Sequence, residues 1–325
     1  MFVNCNRFAK TRGRASRGME VIGFILHAKI RGKNAVRASL LQRFESEFTI
    51  RFYETTGPRT AENLCERALD DGCNFIIAVG GDGTLNEVVN GFLRAGGGSK
   101  YSVVLGVLPF GTGNDFARGI GMQRSVDQLE ELIHRNQPRL LDAGSLSFKC
   151  EDGSEYIRYF DNIADLGIGA QVVAHVNGVH LRKKILGGFL TFFLSVLFIF
   201  ATYRHKKIRV RWADQTFEGR VLGLVAANGR YFGSGFGIAP DAKLDDGQFE
   251  LVIFANVSVM DYIRNFSKLR KAERIVHPEI HYYRTDRLWV EPEGQVVVVE
   301  ADGEIEGHAP LEYRCLPAAL PFLVP

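Results

Sequence analysis

The sequence is poor in the residues that would support a disulfide scaffold or a zinc site. Its 325 residues include only five cysteines. These are scattered, form no Cys-x-x-Cys pair and show no zinc-like spacing to histidine. A disulfide-rich secreted domain is therefore excluded, and the cysteine usage indicates a reduced, cytoplasmic compartment.

The sequence also lacks a charge surplus and a secretory signal. Forty Lys and Arg residues against 37 Asp and Glu give a net charge of +3, too small to indicate a nucleic-acid partner. Residues 1–20 are basic but have no apolar signal core, so we interpret them as a mobile basic extension, with Met19 as a second candidate start. A composition of 46% hydrophobic and 24% charged residues is typical of a globular chain.

Hydrophobic periodicity divides the chain into two halves, which agrees with a prior of about 150 residues per domain. Strand patterns at 21–26, 48–53, 75–79 and 102–108 alternate with helix patterns at 34–46, 60–71 and from Thr84, which predicts an α/β domain with a mostly parallel sheet over 21–142. Strand-like runs at 156–163, 208–212, 220–227, 249–254 and 296–300 predict an antiparallel, β-rich, sandwich-like domain over 143–310. We expect the apolar segment 311–325 to return to the first domain.

A glycine-rich turn follows the third predicted strand. Its residues are Gly80, Gly81, Asp82, Gly83, Thr84, Leu85, Asn86 and Glu87. Glycines let a phosphate approach the backbone amides, and the helix start directs unpaired N–H donors at an anion. Asp82 fits such a loop if Mg²⁺ lies between its carboxylate and a nucleotide. The alternative is an ordinary turn in which Asp82 or Thr84 caps the helix.

A second loop of this kind follows the next predicted strand. It runs over 109–118 and contains Gly111, Thr112, Gly113, Asn114, Asp115 and Arg118. Because ligands bind at the carboxyl ends of parallel strands, we expect the two loops to face one crevice. Asn114 and Asp115 could equally cap the short helix that follows.

Five ordered motifs resemble the diacylglycerol kinase catalytic family, which includes bacterial lipid kinases and the sphingosine and ceramide kinases. They are GGDGTLNE (80–87), PFGTGNDFAR (109–118), NGRYFGSGFGIAP (228–240), KLDDG (243–247) and DGE (302–304). The resemblance implies a nucleotide-binding α/β domain, a β-rich domain and an active site in the cleft between them. It also implies ATP contacts at Thr55, the Gly80–Asn86 turn, Gly111, Thr112 and Asn114.

The same resemblance implies a structural Mg²⁺ in the second domain. The ion would be held by the Asp246 carboxylate and by the main-chain carbonyls of Lys243 and Gln248. The alternative is a plain β-turn, since Asp-Gly is a common turn pair.

One segment departs from the family pattern. Such kinases typically carry Asn-Pro-x-x-Gly after the first strand, whereas residues 27–33 read HAKIRGK. Lys29, Arg31 or Lys33 could still reach the nucleotide, and altered nucleotide affinity is an open alternative.

The resemblance assigns the catalytic base to the DGE motif. In phosphoryl transfer a carboxylate accepts the proton of the attacking hydroxyl, while other groups position the phosphates. Asp302 and Glu304 are the two candidates, with Asp82 as a third catalytic carboxylate, and the choice between Asp302 and Glu304 stays open. The alternative is a hairpin turn with solvated acids.

The stretch 185–203 holds nineteen uncharged, mostly apolar residues between two basic clusters. A spanning helix is awkward here, because catalytic segments on both sides must share one aqueous cleft. We expect a helix that lies on an anionic membrane surface or walls a lipid pocket. A buried core helix is the alternative.

These observations predict a cytoplasmic, peripherally membrane-associated lipid kinase that uses ATP and Mg²⁺, with diacylglycerol as the leading acceptor and phosphatidic acid as the product. The lipid acceptor and an anionic membrane are the expected partners, nucleic acid is not, and a homodimer is left open. A soluble NAD-kinase-like enzyme and a non-catalytic lipid or nucleotide sensor are the competing hypotheses.

Overall fold

The computed structural model describes residues 19–149, 154–178, 190 and 193–325. Residues 1–18 of the expected basic extension lie outside the described residues. The same holds for 185–189, 191 and 192 of the apolar stretch.

The first half alternates strands and helices, as the periodicity predicts. Its elements are β1 (Val21–Leu26), α1 (Lys33–Phe44), β2 (Thr49–Glu54), α2 (Thr60–Asp70), β3 (Phe75–Gly80), α3 (Asp82–Arg94), α4 (Gly97–Lys100), β4 (Val104–Pro109), α5 (Asp115–Ile120) and α6 (Val126–Arg135). The strands pair in parallel in the order β2-β1-β3-β4. Helix α3 begins at Asp82, two residues before the predicted start, so Asp82 lies in its first turn.

The second half is mainly antiparallel. Its elements are β5 (Arg139–Lys149), β6 (Glu155–Phe160), β7 (Ile163–Gly167), α7 (Ile168–Gly178), α8 (193–202), β8 (Lys206–Trp212), β9 (Gln215–Val221), β10 (Gly223–Ala227), β11 (Tyr231–Phe232), β12 (Phe236–Gly237), β13 (Phe249–Phe254), α9 (Val259–Lys271), β14 (Ile280–Thr285), β15 (Arg287–Pro292), β16 (Val298–Ala301), β17 (Glu304–His308) and β18 (Leu311–Phe322). One sheet has the order β14-β13-β10-β7-β16-β17. The predicted α/β domain and antiparallel sandwich-like domain are confirmed. Helices α7 and α9 are additions that the strand-like runs did not predict.

Strand β18 joins the two halves. It pairs antiparallel with β5 and β15, and Phe322 pairs in parallel with Leu105 of β4. The parallel sheet therefore continues into the second half as one ten-stranded sheet. The junction lies near the amino end of β4, where Leu105 pairs with Phe322.

Burial explains the difference in sheet type. Every residue of β3 and β4 is buried, which parallel strands covered on both faces require. In β8, by contrast, Ile208, Val210 and Trp212 are buried while the residues between them are exposed, the alternation of a strand with one solvated face. Among the described residues, no helix combines the length and hydropathy that crossing a bilayer requires.

Candidate active site

The two glycine loops are in direct contact at the carboxyl ends of β3 and β4. The amide of Phe110 donates to the carbonyl of Gly80 at 2.6 Å. A Cβ on Gly111 would lie 2.4 Å from the Cα of Gly81, so a side chain at Gly111 would push the loops apart. The Asn114 side chain closes the second loop, accepting from the Gly111 amide at 2.8 Å and donating to its carbonyl at 2.9 Å. The expected juxtaposition of the loops is present.

Two carboxylates meet between these loops. Asp82 accepts from the Phe116 amide at 3.2 Å, and Asp115 accepts from the Ser234 amide at 2.8 Å and pairs with Arg118 at 2.7 Å. Burial raises the pKa of Asp82, and burial together with the charge of Asp82 raises the pKa of Asp115 to about 6. Asp115 therefore connects the second loop to the 228–240 motif.

The pair suits a divalent cation. A Cβ on Gly113 would lie 3.0 Å from Asp82 Oδ2 and 3.4 Å from Asp115 Oδ2, so both oxygens flank one narrow space. Carboxylate oxygens are ligands that Mg²⁺ prefers. Within the described part of the chain, no group of three or more Asp, Glu, His or Cys side chains could hold a metal ion. An ion at Asp82 and Asp115 would therefore take its other ligands from phosphate and water.

A broad cleft of about 1300 Å³ opens on one side of the loops. Thr55 lies in its wall, where its hydroxyl accepts from the Ala28 amide at 3.0 Å. The exposed residues Lys29 and Arg31 line its mouth, whereas Lys33 is paired with Glu54 at 2.7 Å. Cations thus occur within the segment where the family pattern has Asn-Pro-x-x-Gly. The predicted nucleotide contacts at Gly80, Gly81, Gly83, Thr84, Gly111 and Thr112 also line this cleft.

Leu85 and Asn86 are placed differently from the expectation. They are 1% and 3% exposed and do not line the cleft. The Asn86 amide instead donates to Asp302 Oδ2 at 2.7 Å and to the Tyr159 carbonyl at 3.1 Å. Asn86 bridges the two domains, because the first turn of α3 directs it toward β6 rather than the loops.

Asp302 stands in the two-residue turn between β16 and β17. Its φ is +46° and that of Gly303 is +90°, the left-handed pair that a tight hairpin favours and that Asp-Gly adopts readily. Besides Asn86, the amides of Asp161, Asn162 and Ile163 donate to its carboxylate, at 2.9 to 3.3 Å. Burial nevertheless raises the pKa of Asp302. The turn is a hairpin, and its aspartate is held by both domains rather than solvated.

The two candidate bases face different spaces. Asp302 lines a second cavity, together with the Asp82 and Asp115 pair, whereas the exposed Glu304 lines the nucleotide-side cleft. Thr112 borders both spaces. A group in the second cavity therefore lies across Thr112 from a ligand in the cleft.

The second cavity is lined by both acidic and apolar side chains. Asp161 and Glu300 line it together with Asp302, and so do Val173, Val176 and Phe232. Phe232 also borders an adjoining apolar cavity with an empty volume of about 730 Å³. That cavity lies between α7, α8 and α9, where its wall includes Val172, Val196, Phe200, Leu222, Phe254 and Leu269. The arrangement accommodates an amphiphile whose polar end faces the carboxylates.

A buried network of charged side chains connects the two domains next to α3. Arg158 pairs with Glu62 and contacts Glu306 at 3.1 Å, and all three side chains are nearly inaccessible. Arg59 reaches Glu306 from the first domain at 2.9 Å. Removing one partner would leave a buried charge uncompensated. Sequence reasoning missed this network because it joins residues that no local motif groups together.

The KLDDG turn lies away from both spaces. Asp246 pairs with the guanidinium of Arg284 and accepts from the Gln248 amide at 3.2 Å. The Gly247 amide donates to Asp142 at 2.7 Å, which holds the turn against β5. In this structure the guanidinium of Arg284 is the cation that pairs with Asp246. The site at Lys243, Asp246 and Gln248 stays a prediction.

Comparison with known proteins agrees with the two-domain arrangement. Residues 27–146 match the diacylglycerol kinase catalytic domain, and residues 162–324 match the YegS C-terminal NAD kinase beta sandwich-like domain. A YegS-like lipid kinase of Pseudomonas aeruginosa is 30% identical over 303 residues, which cover 93% of each chain. The chain belongs to the diacylglycerol kinase catalytic family. The predicted resemblance is confirmed.

Other members of this family and the solved structures give the same picture. A diacylglycerol kinase of Bacillus subtilis is 28% identical over 85% of this chain and 86% of its own length. A diacylglycerol kinase structure from Bacillus anthracis superposes with a TM-score of 0.69 at 16% identity, covering 94% of this chain and 97% of the other. The yeast NADH kinase shares the fold at a TM-score of 0.52 and 9% identity, over 93% of this chain and 81% of its own. Family membership implies a lipid kinase with ATP as phosphoryl donor.

Proposed function

We propose that the protein transfers the γ-phosphoryl group of ATP to the hydroxyl of diacylglycerol, forming phosphatidic acid. The observation that carries this proposal is that the acid-lined cavity at Asp302 adjoins the apolar cavity between α7, α8 and α9, with Phe232 in the walls of both. A lipid alcohol needs both environments, because its hydroxyl must reach a base while its acyl chains leave water.

The donor would occupy the cleft at the glycine loops. Amides of the Gly80–Thr84 turn at the start of α3 favour phosphate oxygens. Lys29 and Arg31 at the mouth add positive charge. Asp82 and Asp115 would hold the divalent ion of the donor, and bound Mg²⁺ neutralises phosphate charge during transfer.

The acceptor would occupy the second cavity, which lies across Thr112 from the nucleotide cleft and is called the acceptor cavity below. Its hydroxyl oxygen attacks the γ-phosphorus, the bond to the β–γ bridging oxygen breaks and ADP leaves. Asp302 is the candidate base because, of the two DGE carboxylates, it is the one that lines the acceptor cavity. Its raised pKa favours accepting the proton. Glu304 faces the donor side and would orient the transferred group.

The protein would take its acceptor from an anionic membrane surface. On α8 and just before it, Leu190, Leu194 and Phe198 are 39%, 45% and 56% exposed, and their spacing of four places them on one helical face. Ser195 and Val196 are buried instead. The helix therefore exposes apolar side chains on its outer face, where an ordinary surface helix exposes polar ones.

A neighbouring helix extends this surface. Phe193 of α8 packs on Phe266 of α9 with ring centroids 4.9 Å apart. Met260 and Ile263 of α9 are 49% and 47% exposed, and the exposed cations Arg264 and Lys271 lie on the same helix. Exposed apolar residues with adjacent cations favour adsorption to anionic lipid. Salt-sensitive sedimentation with anionic vesicles is expected, and none with neutral vesicles at high salt.

An acceptor panel tests the proposed reaction. The full chain is incubated with labelled ATP, Mg²⁺ and one acceptor at a time: diacylglycerol, monoacylglycerol or a sphingoid base in mixed micelles, or NAD in buffer. We expect label in the lipid fraction, most strongly with diacylglycerol. Label in NADP would support the NAD-kinase alternative, and ATP binding without transfer to any acceptor would support the sensor.

A further inference from the structure

The side chain of Glu300 stabilises the turn that carries Asp302. Glu300, two residues earlier on β16, accepts from the amide of Gly303 at 2.8 Å. Glu300 is 2% exposed and lines the acceptor cavity. The ladder of β16 and β17 is irregular between Val299 and Glu300, which turns this carboxyl toward the end of the hairpin.

Glu300 has a second partner on the neighbouring strand. Asp165 of β7 stands opposite Glu300 in register, is also 2% exposed, and shares a side-chain hydrogen bond with it. Burial and the adjacent Asp165 raise the pKa of Glu300, and burial raises the pKa of Asp165 to about 7. In the described residues, neither carboxyl forms an ion pair with Lys, Arg or His. Two carboxyl groups can share a hydrogen bond only if one of them is protonated, so Glu300 and Asp165 hold a proton between them.

Asp165 connects this pair to a wall of the acceptor cavity. It accepts from the amide of Ala170, in the first turn of α7. Farther along α7, Val173 and Val176 line the cavity. A Cβ on Gly169 would lie 2.0 Å from Asp165 Oδ2, so the helix lies directly on this carboxyl. The contacts run from Gly303 through Glu300 and Asp165 to α7.

We propose that Glu300 is a positioning residue that fixes the Asp302–Gly303 turn relative to α7 and thereby aligns the base with the acceptor hydroxyl. The inference rests on the proposed lipid kinase function. It adds a specific requirement: the side chain at position 300 must accept from the Gly303 amide and also share a hydrogen bond with Asp165. A misplacement of about 1 Å in such an alignment costs on the order of 100-fold in rate.

Two substitutions of similar size isolate this requirement. Glu300→Gln retains an oxygen for Gly303 and an N–H for Asp165, whereas Glu300→Met fills the same space without either. Glu250→Met is the matched control, because Glu250 is 3% exposed and also accepts from a backbone amide, that of Asp241 at 2.7 Å, on β13, which two strands separate from β16.

The experiment measures kcat and KM for ATP and for diacylglycerol in mixed micelles, with the folded fraction of each variant determined by circular dichroism. We expect Glu300→Met to lose about 100-fold in kcat with a nearly unchanged KM for ATP. Glu300→Gln should recover most of that loss. Glu250→Met should lower the melting temperature and leave the kcat of the folded protein near that of the wild type.

Equal kcat values for the Met and Gln variants would overturn the inference, as would a kcat loss in Glu250→Met as large as that in Glu300→Met. If Glu300→Met does not fold, Glu300→Ser, which is too short to reach both partners, replaces it in the comparison with Gln. If the wild-type chain phosphorylates no lipid, the proposed function itself is refuted. Failure of the proposed function can therefore be distinguished from failure of the inference about Glu300.

Discussion

The side-chain amide of Asn86 donates to the carboxylate of Asp302 across the domain junction, at 2.7 Å. Asn86 belongs to the glycine-rich motif of the first domain and Asp302 to the DGE motif of the second. The same amide contacts the Tyr159 carbonyl, and its oxygen accepts from Arg158 at 3.1 Å. One partly buried hydrogen bond therefore joins two motifs that are more than 200 residues apart in the sequence, and the position of Asp302 depends on domain packing.

Substituting Asn86 tests this connection. Asn86→Ala leaves Asp302 and the Tyr159 carbonyl with one donor fewer each, so we expect a loss of ~1–3 kcal/mol in unfolding free energy and a large fall in kcat. Asn90→Ala is the control, because Asn90 bonds to Tyr159 and Asn86 but not to Asp302. Urea unfolding and lipid phosphorylation should show both variants destabilised and only Asn86→Ala catalytically impaired. A similar kcat loss in both would refute the specific role of Asn86.

The cations at the cleft mouth should act on nucleotide affinity. Replacing Lys29 and Arg31 together with Ala removes positive charge next to the glycine loops. We expect KM for ATP to rise about tenfold, equivalent to ~1.4 kcal/mol, with a smaller effect on kcat. Lys33→Ala is the control, since Lys33 is engaged by Glu54. An unchanged KM in the double variant would show that the altered 27–33 loop does not contact the donor.

Periodicity and motifs predicted much of the fold and part of the site. The alternation over 21–108 was recoverable because parallel strands buried on both faces are uniformly apolar. The convergence of the two glycine loops followed from strand topology alone. The contact of Asn86 with Asp302 was not predicted, because a motif shows which residues occur together and not which side of a helix each of them faces. Glu300 and Asp165 could not be found, since their pairing arises only from the register of β16 with β7.

Buried Glu250 predicts a pH effect on stability. Its oxygen Oε1 has no hydrogen-bond partner, and burial raises its pKa to about 7, above the ordinary value of 4.5. Because the pKa of Glu250 is higher in the folded state than in the unfolded state, the protonated form of Glu250 stabilises the fold. This contribution to the free energy of unfolding is fully present below about pH 4.5 and is lost as the pH rises through 7. Glu250→Gln cannot ionise, so its melting temperature should fall less between pH 5 and pH 8 than that of the wild type. Parallel curves for the two proteins would contradict the assignment.

The Asp246 turn allows a test of the predicted structural metal. Arg284 occupies the cation position at this carboxylate. Arg284→Ala frees Asp246 to bind Mg²⁺ together with the carbonyls of Lys243 and Gln248. We expect Mg²⁺ to raise the melting temperature of this variant more than that of the wild type, measured against EDTA in each case. Asp246→Ala in the same background should abolish the difference. Equal Mg²⁺ responses with and without Arg284 would argue against a metal at this turn.

The central claim is that Asp302 acts on a lipid hydroxyl in the cavity that adjoins the apolar cavity between α7, α8 and α9. The most direct measurement is the rate of label transfer from γ-labelled ATP to diacylglycerol by the wild type, Asp302→Asn and Glu304→Gln, each with its melting temperature. We expect the wild type to form phosphatidic acid and both variants to be slower by orders of magnitude. Glu304→Gln should keep its melting temperature, because Glu304 is exposed, and Asp302→Asn should melt earlier, because an amide nitrogen would replace an oxygen that accepts buried N–H donors. Near wild-type transfer by Asp302→Asn would contradict the account.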